Sequence, residues 1–171
     1  RIFTSIVLVA GVGYFFYIAG LIVQSIVEGE IKAILGRKRL DKKIRKLKNH
    51  YIICGYGRIG RVLSQLIKED TKDIVVVEKD ENLVEILEKD KMHYLNGDSS
   101  EEEVLEKAGI KNASFLIAAL GTDTANVFLV LTARQLNPDI YIMARASSPD
   151  VKNKLIIAGA NFVESPYDIG A

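Results

Sequence analysis

Six residues, Gly55-Tyr56-Gly57-Arg58-Ile59-Gly60, constrain the fold of this 171-residue chain more than any other feature. They follow a short apolar run from His50 to Cys54 and precede a helical pattern through Val62, Leu63, Leu66 and Ile67. A second apolar run, Ile74 to Val77, is rich in β-branched residues, which suit a pleated surface, and it ends at Glu78. Three glycines at this spacing say little alone. Between a strand and a helix, with a strand-terminal acid about 20 residues further on, they predict a phosphate-binding turn. Gly55 permits the tight turn, Gly57 lets the backbone approach a pyrophosphate, and Gly60 lets helix and strand pack closely. Tyr56, Arg58 and Ile59 complete the candidate loop, where the helix N-terminus supplies backbone N–H donors. Glu78 would accept hydrogen bonds from the adenosine ribose hydroxyls, with Lys79 beside it. An acid there repels a 2′-phosphate, which favours NAD over NADP; ADP, ATP or AMP satisfies the same groups.

The pattern then repeats. Asp80–Lys91 reads as a helix with Leu83, Ile86 and Leu87 inward, and Met92–Leu95 as a third strand. Glu101–Ala108 reads as a helix, with Ser99 and Ser100 forming overlapping capping boxes with Glu102 and Glu103. Ser114–Ala118, Ile140–Ala144 and Asn161–Val163 read as strands, and Thr124–Gln135 and Pro149–Ala158 as helices. Six strands alternating with helices predict a doubly wound parallel sheet of the Rossmann type, in the order 3-2-1-4-5-6. Ligands bind at the carboxyl ends of such strands, which adds Asp98, Ser99, Ala119, Leu120 and Arg145 to the candidates. Arg145 would pair with a phosphate or form a surface salt bridge. Asp98 would accept from an adenine amino group or cap the next helix. The run Glu101-Glu102-Glu103 opposes the helix dipole, rather than holding a cation.

No catalytic set emerges. His50 and His93 stand at strand starts, far from the ligand end, and Cys54 reads as a small buried side chain. The bound nucleotide therefore reads as a signal or structural ligand and not as a reactant. The rival reading is a membrane-anchored NAD-dependent oxidoreductase. No metal site is expected, and one cysteine excludes a disulfide scaffold.

The chain ahead of the first strand has a different character. The 26 residues from Ile2 to Val27 carry no formal charge. As a helix they would be roughly 39 Å long, more than the hydrocarbon thickness of a bilayer. A signal peptide has a shorter apolar region. Residues 1–27 are therefore expected to form one transmembrane helix, in a cell membrane. Residues 28–50 hold nine basic and three acidic side chains, a basic linker over 28–49 that places this end in the cytoplasm and meets anionic lipid headgroups. Residues 51–171 carry −6, so the net charge of +1 is an average over unlike regions. The basic patch has a topological explanation, which argues against a nucleic-acid partner. Gly11, Gly13 and Gly20 in the apolar run suit close helix packing or a bend.

Together the string Tyr51 to Gly60, the strand end at Glu78-Lys79-Asp80, Asn96-Gly97-Asp98 and the run Gly159 to Tyr167 resemble RCK domains, the regulators of potassium conductance also called Trk-type N domains. The match covers about residues 50–170. The preceding segment is similar to the pore-lining inner helix of a two-transmembrane prokaryotic potassium channel. The resemblance implies a channel subunit fragment in which the RCK domain, 50–171, binds NAD or an adenine nucleotide and moves the gate through the linker. It implies Gly11 or Gly13 as the gating hinge, a tetrameric pore passing K+, and dimerised RCK domains. It puts the family's selectivity filter before residue 1 and its crossover helix and C-terminal lobe after residue 171. Calcium-gated members carry acids after strand five, where this chain has Arg145 and Ser147; the arginine matches the nucleotide-binding members.

Overall fold

The computed structural model describes residues 3, 10–21, 23–24, 40, 42–44, 46–69 and 73–165. The chain divides into two compact units, 1–39 and 40–171. In the first, residues 10–21 are helical, as are 23 and 24. Tyr14, Phe15, Phe16 and Tyr17 are exposed along it, and a Cβ added at Gly11, Gly13 or Gly20 would meet nothing within 4 Å. Among the described residues no helix is long and apolar enough to cross a membrane. Of the span expected over 1–27, residues 3, 10–21 and 23–24 are described and helical, while the rest of it and most of the basic linker over 28–49 lie outside the described residues. The second unit begins at Leu40, ahead of the position 50 expected from the sequence, because Ile44 is completely buried in its core.

That unit alternates strand and helix. In order it contains β1 (Tyr51–Cys54), α1 (Arg58–Glu69), β2 (Ile74–Glu78), α2 (Glu81–Lys89), β3 (His93–Asn96) and α3 (Glu102–Lys107). After a 3-10 turn over Ile110–Asn112 come β4 (Phe115–Ala118), α4 (Asp123–Leu136), β5 (Tyr141–Arg145), α5 (Pro149–Ala158) and β6 (Phe162–Glu164). All pairings are parallel, in the order β3-β2-β1-β4-β5-β6, as the alternation predicts.

Parallel strands are covered on both faces, so their side chains are apolar on both sides. On one face Ile52, Val75, Leu116, Ile142 and Val163 meet Leu105, Leu129, Ala133 and Leu155 from α3, α4 and α5. On the other Ile53, Val76 and Ile117 meet Leu63, Ile67 and Leu87 from α1 and α2. Each fully buried aliphatic side chain contributes about 1.5–3 kcal/mol of transfer free energy, which fixes the register of these short strands. On α2 Leu87 is fully buried and Ile86 packs against the same core as expected, Val84 is buried as well, and Leu83 is half-buried and lines the cavity.

One local expectation is corrected. The capping boxes of Ser99 and Ser100 do not form: α3 starts from Glu101 with no side-chain cap. Asp98 takes Ser100 instead, its Oδ1 accepting the Ser100 N–H at 2.9 Å and the hydroxyl at 2.7 Å. An Asx turn of this kind competes directly with a serine N-cap for the same groups.

Candidate functional site

β1 and β4 are neighbours whose following helices, α1 and α4, lie on opposite faces of the sheet. A crevice must open where the two connections part. A cavity of about 1170 Å³ lies there, at the carboxyl ends of the strands.

Its near wall is the glycine loop. Gly55 has φ +97°, and a Cβ on it would stand 2.7 Å from the Ala119 carbonyl oxygen, so the turn requires glycine. A Cβ on Gly60 would stand 1.9 Å from the Gly55 oxygen, which lets α1 begin directly against the turn. At Gly57 a Cβ would meet nothing within 4 Å, and the residue lines the cavity. Arg58 and Ile59 line it too, at the start of a helix whose first turn holds no acid. The first-turn N–H groups have no intrahelical partner, and with the helix dipole they attract an anion.

Glu78 closes β2. Its side chain is 9% exposed, and Oε2 accepts the Tyr56 N–H at 2.6 Å. Oε1 accepts the N–H groups of Lys79 and Asp80, at 2.8 and 2.9 Å. The acid therefore ties the glycine loop to the end of β2 and still lines the cavity. A carboxylate has about four lone-pair sites, so three donors leave room for one more. Tyr56 turns away from the cavity: it is 1% exposed, and its hydroxyl donates to Asp90 at 2.9 Å. Burial and that carboxylate push the phenol up to about 12.

Lys79 and Asp98 line the same rim, joined by an ion pair at 3.0 Å. Ser100's hydroxyl and N–H, then Lys79, hold the Asp98 carboxyl down at about 2. Asp98 does not cap α3; it shapes the rim through Ser100 and Lys79, three donors that leave one lone-pair site on its carboxylate. Ser99 is buried below, against Cys54, whose thiol is pushed up to about 12 by burial. Glu103 pairs with Lys107 at 2.7 Å along α3.

The far wall is Ala119, Leu120 and Arg145, all expected, together with Gly121, Thr122, Thr124, Ala125 and Phe128, which were not. Val77, Asp80, Leu83, Gly97 and Ser100 also line the cavity without having been expected. The usable signal was the rule of strand ends, which extends into the first turn of the following helix. Arg145 makes no ion pair among the described residues. Its Nε is buried without a hydrogen-bond partner among the described residues, while the residue lines the cavity. A guanidinium stays charged, and its planar fork of N–H donors suits the paired oxygens of a carboxylate or phosphate.

Residues 51–166 match the TrkA-N domain family. The chain is 46% identical to probable potassium channel protein 2 of Methanocaldococcus jannaschii, over 99% of this chain and 50% of that protein. It is 41% identical to potassium channel protein 1 of the same organism, over 94% of this chain and 49% of that protein. The chain thus spans about half the length of these curated relatives. Among solved structures it is similar to the TrkA-N domain of the Escherichia coli inner membrane protein ybaL. The TM-score is 0.69 and the identity 29%, over 72% of this chain and 92% of that one. The GsuK channel bound to NAD gives a TM-score of 0.65 at 29% identity, over 71% of this chain and 22% of that one. GsuK bound to ADP gives 0.65 at 27% identity, over 71% and 32%.

Proposed function

We propose, for a chain that belongs to the TrkA-N domain family, that its α/β unit binds an adenine nucleotide and thereby regulates a potassium channel. The observation that carries the nucleotide reading is the pairing of an open cradle at Gly57 with the Glu78 carboxylate across one cavity. NAD, ADP, ATP and AMP share the chemistry this pairing suits. The start of α1 would hold phosphates through its N–H groups. Glu78 would take a ribose hydroxyl on its remaining lone pair, and Arg145 would meet a phosphate from the far wall. Solved relatives with NAD and with ADP support the same ligand class.

The channel reading is supported by relatives named as potassium channel proteins that align with 99% and 94% of this chain. Alignments that long take in apolar sequence from residues 1–27 as well as the α/β unit. In this reading residues 1–27 form a pore-lining helix in the cell membrane, and 28–49 lead into a cytoplasmic domain. Gly11 or Gly13 supplies the hinge. Four such helices surround a K+ pathway, and the domains pair with one another. A ligand with different affinities for two domain arrangements would shift the gate by that difference. Lipid headgroups meet the basic linker, and no nucleic acid is required. In this reading the domain acts as a sensor and not as an enzyme, which its relatives named as potassium channel proteins support.

Calorimetric titration of the full chain in detergent with NAD, ADP and AMP tests the site. Glu78→Ala should weaken binding by about 1–3 kcal/mol, because it removes a charged acceptor and frees three backbone donors. Absence of binding by every adenine nucleotide would sink the reading.

A further inference from the structure

Asn126, in the first turns of α4, is 1% exposed and is not among the residues that line the cavity. Its side-chain amide joins two other pieces of backbone. Oδ1 accepts the Leu120 N–H at 2.9 Å. Nδ2 donates to the Leu120 carbonyl at 3.4 Å and to the Arg145 carbonyl at 3.1 Å. Leu120 lies in the turn after β4, and Arg145 is the last residue of β5. One turn earlier on α4, Asp123 makes a second clamp: its carboxylate accepts the Ser147 N–H at 3.1 Å and the Ser147 hydroxyl. The N-cap of α4 is supplied by Thr122, whose hydroxyl accepts the Ala125 N–H at 3.3 Å. Asp123 and Asn126 are therefore free to reach sideways to the segment after β5. Arg145 and the completely buried Ala146 are held between the two clamps.

Resting on the nucleotide reading above, we propose that Asn126 is a positioning residue for phosphate recognition. With Asp123 it fixes the backbone that carries Arg145 against the far wall of the cavity. Guanidinium–phosphate pairing is directional and bidentate, so its strength depends on where the arginine is anchored. A neutral amide both accepts from an N–H and donates to a carbonyl, which this junction needs. Aspartate at 126 keeps the shape and the acceptor for Leu120 N–H. It turns the other half into an oxygen facing two carbonyl oxygens.

Titration of the full chain in detergent with ADP and with adenosine separates the possibilities, since adenosine has no phosphate. Asn126→Asp should lower ADP affinity about tenfold, the worth of about one buried hydrogen bond, and change adenosine affinity less than about twofold. In an Arg145→Gln background it should cause no further loss for ADP, because it acts through Arg145. Asp123→Ala, at a partly exposed site, should show the same ADP-selective loss at about threefold. It decides the matter if Asn126→Asp fails to fold. Equal losses for ADP and adenosine, or additive losses in the double variant, would overturn the role of Asn126 while leaving the nucleotide site standing. A wild-type chain that binds neither ligand would remove both.

Discussion

His50 and Arg145 hold the buried side-chain atoms without a hydrogen-bond partner among the described residues: Nδ1 of one and Nε of the other. They stand at opposite ends of the sheet. His50 precedes β1 at the amino ends, completely buried among Ile44, Ala108 and Gly109. Arg145 closes β5 at the carboxyl ends and lines the cavity. The two residues bear the same defect differently. Imidazole can remain neutral, with Nε2–H donating to the Ala108 carbonyl at 2.8 Å and Nδ1 left as a bare acceptor. A guanidinium cannot lose its charge, so its unpartnered N–H keeps its demand for an anion. One end of the sheet is closed around a group that discharges itself. The other is open around a group that cannot.

The sharpest way to break this contrast is to add one carbon at each end. Gly60→Ala brings a Cβ within 1.9 Å of a backbone oxygen, which neither partner can yield. It should cost about 3 kcal/mol in urea unfolding, the upper end for overpacking. Gly109→Ala, at φ +79° and 3.1 Å from the His50 ring, should cost about 1–2 kcal/mol, because a side chain can shift where backbone cannot. Equal costs would mean that the glycine loop is no tighter than the opposite end.

Arg145→Gln separates the ends by function. Removing an unpartnered buried donor should leave stability unchanged or raise it by up to about 1 kcal/mol. ADP affinity should fall about tenfold in the same variant, as expected for losing a charged hydrogen bond. A site kept for binding at the expense of the fold gives that opposition. If instead stability falls with affinity, Arg145 is a structural residue.

These two ends also differ in how much of them the sequence reveals. The glycine loop, Glu78 and the strand order are legible because each depends on residues close together or on simple alternation. Contiguous spacing cannot show that the Tyr56, Lys79 and Asp80 N–H groups all converge on Glu78. Nor can it show that Asp98 takes Ser100 away from the helix cap. The far wall is harder still: Thr122, Thr124 and Phe128 reach the cavity because α4 starts immediately after the β4 turn. The Asn126 clamp spans 19 residues in sequence and appears only once β4 and β5 lie side by side. The expected membrane span and the proposed hinge at Gly11 or Gly13 rest on sequence that the α/β unit does not explain.

The smallest effect belongs to the closed end. Burial is the main influence on His50 and lowers its pKa from the ordinary 6.5, with the Ala108 hydrogen bond and Asp73 opposing more weakly. Burial also lowers His93, with Lys43 and Lys68 adding to the fall and Asp73 opposing. For a base whose folded pKa is depressed, the unfolded chain takes up the proton first as pH falls. The contribution to stability is therefore complete above about pH 6.5 and is lost progressively below it, through the depressed folded value. Urea midpoints should be flat between pH 7.5 and 8.5 on the histidine account, and should fall from about pH 7 to 5.5, ahead of carboxylate titration. His50→Gln should reduce that slope without abolishing it, because His93 keeps its share. Protonation at Nδ1 would place a second N–H among apolar neighbours, and glutamine has no such proton to gain. A midpoint that rises on acidification, or a His50→Gln slope equal to that of wild type, would show that the closed end tolerates charge as well as the open one.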